Sequence, residues 1–92
     1  MQEVNEINRL RVSIHGTEYM LRGRDPVAHM RQVADRVNQL MDEIASRAPM
    51  LDERRVAVLT ALNLADELCK LQEEHRELLE LLDDKTSADM RE

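Results

Sequence analysis

Residues 52–83 form a long run that contains neither glycine nor proline. A helix of roughly 32 residues over this range would be about 48 Å long. Leucine, alanine and glutamate dominate the run, and these residues favour helix. Asp52 stands where a side chain can cap the first turn. The sequence therefore predicts one long helix over 52–83, in a chain of 92 residues that has little else with which to cover it.

Apolar residues in this run repeat with heptad spacing. When Ala61 is placed at position a, the alternating a and d positions are Ala57, Ala61, Leu64, Leu68, Leu71, His75, Leu78 and Leu82. We call this set the seam, and its spacing is typical of a coiled coil. Leu79 and Leu81, at positions e and g, widen the apolar face beyond what two strands can hide. The pattern therefore favours a tetramer over a dimer.

Self-association is the expected means of stabilising so short a chain. Nothing else in the sequence reaches residues 68–82, and each leucine buried there contributes about 1.5–3 kcal/mol before entropy is subtracted. One cysteine, Cys69, cannot close an internal disulfide. Within the seam, His75 has two interpretations: a tolerated polar residue that fixes register, or a pH-sensitive element.

The first half predicts a β-hairpin over 9–24. Residues 9–15 alternate polar with apolar, and residues 18–22 can return antiparallel. Gly16-Thr17 fits a type II′ turn, which needs glycine first. In the resulting register Arg11 lies opposite Arg22 and Arg9 opposite Arg24. The apolar side chains then share the other face of the hairpin.

A first helix is expected over 25–47, capped by Asp25 and with Pro26 at its first position. Its apolar stripe can cover the hairpin and consists of Val27, Met30, Val33, Ala34, Val37, Leu40, Met41 and Ile44. The predicted fold class is α+β and mostly helical. A flexible N-terminus (1–8) precedes a small head (9–48), and a linker (49–51) joins the head to the long oligomerising helix (52–83), which a frayed tail (84–92) follows.

Composition excludes several functions. The net charge of −6 opposes binding to nucleic acid or anionic lipid, and the acidic excess belongs to residues 50–92, since residues 1–49 are balanced. No apolar run approaches the ~20 residues that span a membrane, and no signal peptide is evident, so we expect a cytoplasmic protein.

The sequence has no pattern of residues typical of a catalytic or phosphate-binding site. Two glycines cannot build a phosphate-binding loop, and Cys69 has no histidine near it in sequence. The adjacent acidic pairs do not face each other on a helix. We therefore expect no catalytic residue, no cofactor and no metal site, and a protein that is not an enzyme.

Arginine side chains form the one candidate binding surface. The partner-binding candidates are Arg9, Arg11, Arg22 and Arg24 on the hairpin, extended by Arg31 and Arg36 on the first helix. Like charges opposite one another destabilise a hairpin unless acidic groups neutralise them. Either carboxylates of another segment or subunit do so, or the side chains extend into water, or the surface binds an acidic partner.

Residues 55–68, Arg-Val-Ala-Val-Leu-Thr-Ala-Leu-Asn-Leu-Ala-Asp-Glu-Leu, resemble the signature of the ZapA family, in which an Ala-Leu-Asn core opens the long helix. The hairpin residues 12–19 and the helical residues 34–38 are similar to the corresponding parts of that family. The resemblance covers about residues 10–72. Asn63 of the core falls at position c, off the seam, so the heptad pattern does not explain it.

The resemblance implies a non-enzymatic cell-division accessory protein. It implies a dimeric head, coiled coils that join two dimers into an antiparallel tetramer, and binding to FtsZ polymers, which it cross-links or stabilises at the mid-cell division ring. The residues leave an alternative open: a small coiled-coil protein that uses the arginine-rich hairpin face for nucleic acid or another acidic partner. A coiled coil that docks a different helical partner also stays open.

Overall fold

The computed structural model describes the backbone of residues 6–90 and the side chains of residues 6–83. Two strands, β1 (Asn8–Ile14) and β2 (Thr17–Gly23), precede two helices, α1 (Val27–Arg47) and α2 (Glu53–Met90). The predicted α+β class with a hairpin, a short helix and a long helix is confirmed. The described range leaves out residues 1–5 of the predicted flexible N-terminus and residues 91–92 of the predicted tail.

The hairpin pairs in a register two residues away from the predicted one. Arg9 lies opposite Arg22, and Arg11 lies opposite Met20, so the predicted opposition of Arg11 to Arg22 and of Arg9 to Arg24 is wrong. A shift of two residues keeps every side chain on its predicted face, because the faces of a strand alternate with period two. Arg9, Arg11 and Arg22 therefore still share the outer face.

The turn is formed by His15 and Gly16 rather than by Gly16 and Thr17. Both residues have positive φ, 49° at His15 and 90° at Gly16. Positive φ at both central residues defines the type I′ turn, whose twist matches that of the strands. The predicted type II′ turn is therefore wrong, although Gly16 still supplies a left-handed backbone.

Replacing Gly16 by valine should lower the free energy of unfolding of the hairpin-containing part by about 1–2 kcal/mol. A Cβ atom at Gly16 would contact nothing within 4 Å, so the cost is conformational rather than steric. Gly23→Val is the matched control, since Gly23 has equally open space and no positive φ. Thermal melts at one protein concentration compare the two variants. Equal melting of Gly16→Val and Gly23→Val would contradict the turn assignment.

The core of the hairpin lies between its inner face and α1. Leu10 and Val12 of β1 are buried against Met30 and Ala34 of α1, with Ile14 and Leu21 partly buried beside them. Leu40, Met41, Val56 and Thr60 are also buried. The Thr60 hydroxyl donates to the Val56 carbonyl at 2.8 Å, so this buried polar group is satisfied. The predicted stripe of α1 is buried only in part, because Val27 and Val33 remain exposed.

Of the two predicted helix caps, the structure shows the one at Asp52 and not the one at Asp25. Asp25 does not cap α1: Pro26 occupies the N-cap position without a side-chain hydrogen bond, and the Asp25 carbonyl accepts from Asn8 Nδ2 at 2.7 Å. Asp52 does cap α2, since its Oδ1 accepts from the Arg55 backbone N–H at 2.9 Å. The first helix therefore starts two residues later than predicted, at Val27.

Helix α2 extends from Glu53 to Met90, beyond the end predicted at residue 83. The chain divides into two compact units, one that ends at Thr60 and one that begins at Ala61. We keep the name head for the first unit, which is larger than the predicted 9–48 because it includes the first turns of α2. No helix among the described residues combines the length and the apolar character that crossing a membrane requires.

Candidate functional site

Three arginines of the hairpin form a basic patch on the outer face of the head. We call Arg9, Arg11 and Arg22 the arginine surface; all three are exposed. Arg9 and Arg22 are cross-strand partners, and Arg11 follows Arg9 on the same face of β1. Among the described side chains, none of the three makes an ion pair or a hydrogen bond. The surface therefore carries positive charge that no described residue meets in a direct ion pair.

The other candidate arginines lie elsewhere on the head. Arg24 follows the end of β2 in the connection to α1, outside the paired strands. Arg31 and Arg36 are five residues apart on α1, which separates them by about 140° around the helix axis. Arg36 is partly buried and donates to Gln39 Oε1 at 3.4 Å. Arg31 and Arg36 therefore do not form one face, and the arginine surface of the hairpin is the compact part of the candidate set.

A polar clamp from α1 fixes the end of the hairpin. Asn38 Oδ1 accepts from the His15 backbone N–H at 2.7 Å, and Asn38 Nδ2 donates to the Ser13 carbonyl at 2.5 Å. The His15 ring adds a second tie, since its Nδ1 lies 2.8 Å from both carboxylate oxygens of Glu53 at the start of α2. The turn of the hairpin is thereby bound to both α1 and the start of α2.

The sequence analysis did not predict this clamp. The position of Asn38 could have indicated it, because Asn38 follows Ala34 by four residues and so lies near the buried face of α1, where a polar side chain needs hydrogen-bond partners. No such signal marked the contact between His15 and Glu53. These residues are 38 positions apart in sequence and meet only when the hairpin folds onto the helices.

Replacing Asn38 by alanine should destabilise the head by about 1–3 kcal/mol, because two backbone groups lose their partners. Gln39→Ala is the matched control, since Gln39 is an exposed neighbour on the same helix. Chemical denaturation of both variants measures the difference. If Asn38→Ala unfolds at the same denaturant concentration as Gln39→Ala, the clamp does not stabilise the hairpin.

The seam on α2 is exposed in the single chain. Leu68, Leu71 and Leu78 each leave more than half of their surface in contact with solvent, and Leu71 is 62% exposed. The remaining members are exposed too, except Leu64, which is partly buried: Ala57, Ala61, His75 and Leu82. A row of exposed leucines at a and d positions is unusual for a helix that has no partner.

Ion pairs occupy the opposite side of the same helix. Lys70 Nζ lies 3.0 Å from Asp66 Oδ2, and Arg76 pairs with both Glu73 and Glu80. In the heptad numbering these residues fall at positions b, c and f, away from the seam. The hydrogen bond and the charge of Asp66 raise the pKa of Lys70 above its ordinary value, and those of Glu73 do the same for Arg76. The helix is therefore polar outside and apolar along the seam.

No group of three histidine, cysteine, aspartate or glutamate side chains within the described range is arranged to hold a metal ion. A shallow apolar depression of about 180 Å³ lies on the head beside Leu21, Met30 and Val33. Arg22, Asp25 and His29 also line it. The arginine surface and the seam are the two candidate binding features of the described residues.

Comparisons with known proteins agree on one family. Residues 10–92 match the family model described as cell division protein ZapA. The chain is 45% identical over 74 residues to the cell division protein ZapA of Geobacillus kaustophilus, covering 80% of this chain and 81% of that one. It is 38% identical over 84 residues to the ZapA of Bacillus mycoides, covering 91% and 94%.

A solved structure shares the fold as well. The ZapA mutant dimer from Geobacillus stearothermophilus superposes with a TM-score of 0.72 at 41% identity, covering 90% of this chain and 95% of that one. The match spans both the hairpin and the long helix. Sequence and structure together show that the chain belongs to the ZapA family of cell division proteins.

Proposed function

We propose that this chain binds FtsZ polymers at the mid-cell division ring and cross-links or stabilises them through a multivalent oligomer. The observation that carries the proposal is the arginine surface, because Arg9, Arg11 and Arg22 are exposed and make no ion pair or hydrogen bond with the described side chains. The remainder of the chain is acidic, with a net charge of −6 overall. Such a local basic patch suits an acidic protein surface.

Valency supports cross-linking without a chemical step. An oligomer held together by the seam carries several heads, and each head carries one arginine surface. Linking binding sites raises the overall strength of attachment far above that of one site. We infer a tetramer, since leucines at e and g widen the apolar face of α2. The resemblance to the ZapA family implies that two dimers join antiparallel in it. The solved relative is a mutant dimer.

Co-sedimentation with polymerised FtsZ tests binding directly. The chain should pellet with FtsZ polymer and remain in the supernatant without it. Raising the salt concentration should weaken pelleting, because exposed charges are screened beyond about 8–10 Å at physiological ionic strength. A protein that stays in the supernatant at low salt would contradict the proposal.

The competing function is binding to nucleic acid through the same arginines. A phosphate binder loses affinity steeply with salt on DNA of any sequence. We expect no DNA binding at physiological salt, because one tyrosine and a net negative charge provide neither stacking nor attraction. Gel shifts with duplex DNA, run beside the FtsZ assay, separate the two functions.

A further inference from the structure

The outer edge of β2 presents backbone groups that the head leaves unused. Ile14 and Thr17 flank the two-residue turn, so their pair is hydrogen-bonded and such pairs alternate along the ladder. The N–H and C=O groups of Glu18, Met20 and Arg22 consequently point away from β1. Among the described residues, none of these groups has a hydrogen-bond partner.

The equivalent edge of β1 is occupied at the end next to the turn. Helix α1 packs against β1, and the Asn38 side chain takes the outward groups of Ser13 and His15. Among the described residues the sheet has two strands, and β2 carries the edge that is open along its whole length. An open edge is a template for another strand, and proteins either block such an edge or use it.

The charges along the open edge are complementary to themselves. We propose that the edge of β2 pairs antiparallel with β2 of a second copy of this chain, about a two-fold axis through Met20. In this register Glu18 of each copy faces Arg22 of the other, which gives two ion pairs per contact. Opposite charges at directly facing positions stabilise a strand pair.

The register centred on Met20 satisfies the backbone and the side chains at once. It pairs all seven residues of β2 and sets outward-pointing groups against outward-pointing groups. Axes through Glu18 or Arg22 would instead place like charges together. On the inner face Tyr19, which is 52% exposed, meets Leu21 of the second copy. On the outer face Met20, which is 49% exposed, meets its own equivalent.

This contact is separate from the seam, since it uses only the head. A four-stranded sheet built in this way carries Arg9 and Arg11 of both copies on one face, because paired residues share a face. The inference goes beyond FtsZ binding, and its test needs this chain alone. Failure of either proposal therefore leaves the other standing.

Cross-linking at the two-fold axis tests the contact. In a Cys69→Ser background, Met20→Cys places two thiols on Cα atoms about 5.5 Å apart. A short bismaleimide should convert most of this full-length variant to a covalent dimer. Arg11→Cys is the matched control: it lies on the same face but on β1, and its equivalents are separated by three strand spacings, about 14 Å. This control should cross-link weakly.

Charge reversal then identifies the register. With Glu18→Arg alone, the new arginine of one copy faces Arg22 of the other. With Arg22→Glu alone, the new glutamate faces Glu18 of the other copy. Each single change should therefore lower the yield of the cross-link at position 20 about tenfold. Mixing the two variants restores opposite charges in the mixed pair, and the double variant restores them in every pair. Both samples should regain the original yield, which also shows that the variants are folded.

Two results would overturn the proposal. One is a Met20→Cys variant that cross-links no more than the Arg11→Cys control. The other is a cross-link that neither single reversal weakens, since the register requires Glu18 and Arg22 to face each other. An open edge that takes a strand from another protein would give the first of these results.

Discussion

Replacing Leu71 by glutamate is expected to dissociate the oligomer into smaller species. Leu71 occupies a central d position and is 62% exposed in the single chain. Association buries it once per copy. A carboxylate forced into that position costs several kcal/mol in every copy, against a total stability of about 5–15 kcal/mol. Analytical ultracentrifugation should show a large fall in mass.

Cys69→Glu is the matched control for this variant. It adds the same carboxylate two residues away on the same helix, at an exposed b position outside the seam. The control should keep the mass of the unmodified protein. An unchanged mass for Leu71→Glu would mean that the copies associate through another surface.

The long helix was predictable because its signals are local. A run without glycine or proline, a heptad repeat and the Asp52 cap are all read from neighbouring residues, and the structure shows both the helix and the cap. The end of the helix was not predictable in the same way. Residues 84–90 are mostly polar, yet the helix continues through them to Met90.

The alternation of polar and apolar residues does not determine the register of the hairpin. Shifts of two residues keep the apolar side chains on the same face, so the pattern allows both registers. The choice follows from His15, which adopts a φ of 49° and donates its N–H to Asn38. The cost of a left-handed backbone at a residue other than glycine is offset by contacts with residues distant in sequence.

The sequence predicted on which face of the hairpin the arginines lie, but not the contacts that hold the hairpin against the helices. Alternation alone placed Arg9, Arg11 and Arg22 together on the outer face, where the structure has them. It could not place Arg31 and Arg36 relative to the hairpin. It also gave no sign that the Glu53 carboxylate meets the His15 ring, since that contact needs the tertiary fold.

The double replacement Arg9→Glu with Arg11→Glu is expected to abolish bundling of FtsZ polymers. Both side chains are exposed on β1 and lie away from the core, so the variant should fold and keep its mass. Reversing two charges on each head changes attraction to repulsion at every contact with an acidic partner. Because the heads act together in an oligomer, a modest loss per head multiplies across the assembly.

A control with the same change in charge uses Arg47→Glu with Arg55→Glu. These two residues are exposed on the head but lie at helix ends, outside the arginine surface. Their replacement should leave bundling close to that of the unmodified protein. Equal loss in both double variants would mean that overall charge, rather than this surface, controls binding.

Light scattering of polymerising FtsZ measures whether the arginine surface is needed for bundling. The unmodified chain should raise the scattering well above that of FtsZ alone, and the Arg47 and Arg55 control should do the same. The variant with Arg9→Glu and Arg11→Glu, shown by ultracentrifugation to have the normal mass, should leave the scattering at the level of FtsZ alone. Full bundling by that correctly assembled variant would contradict the claim that the arginine surface binds FtsZ.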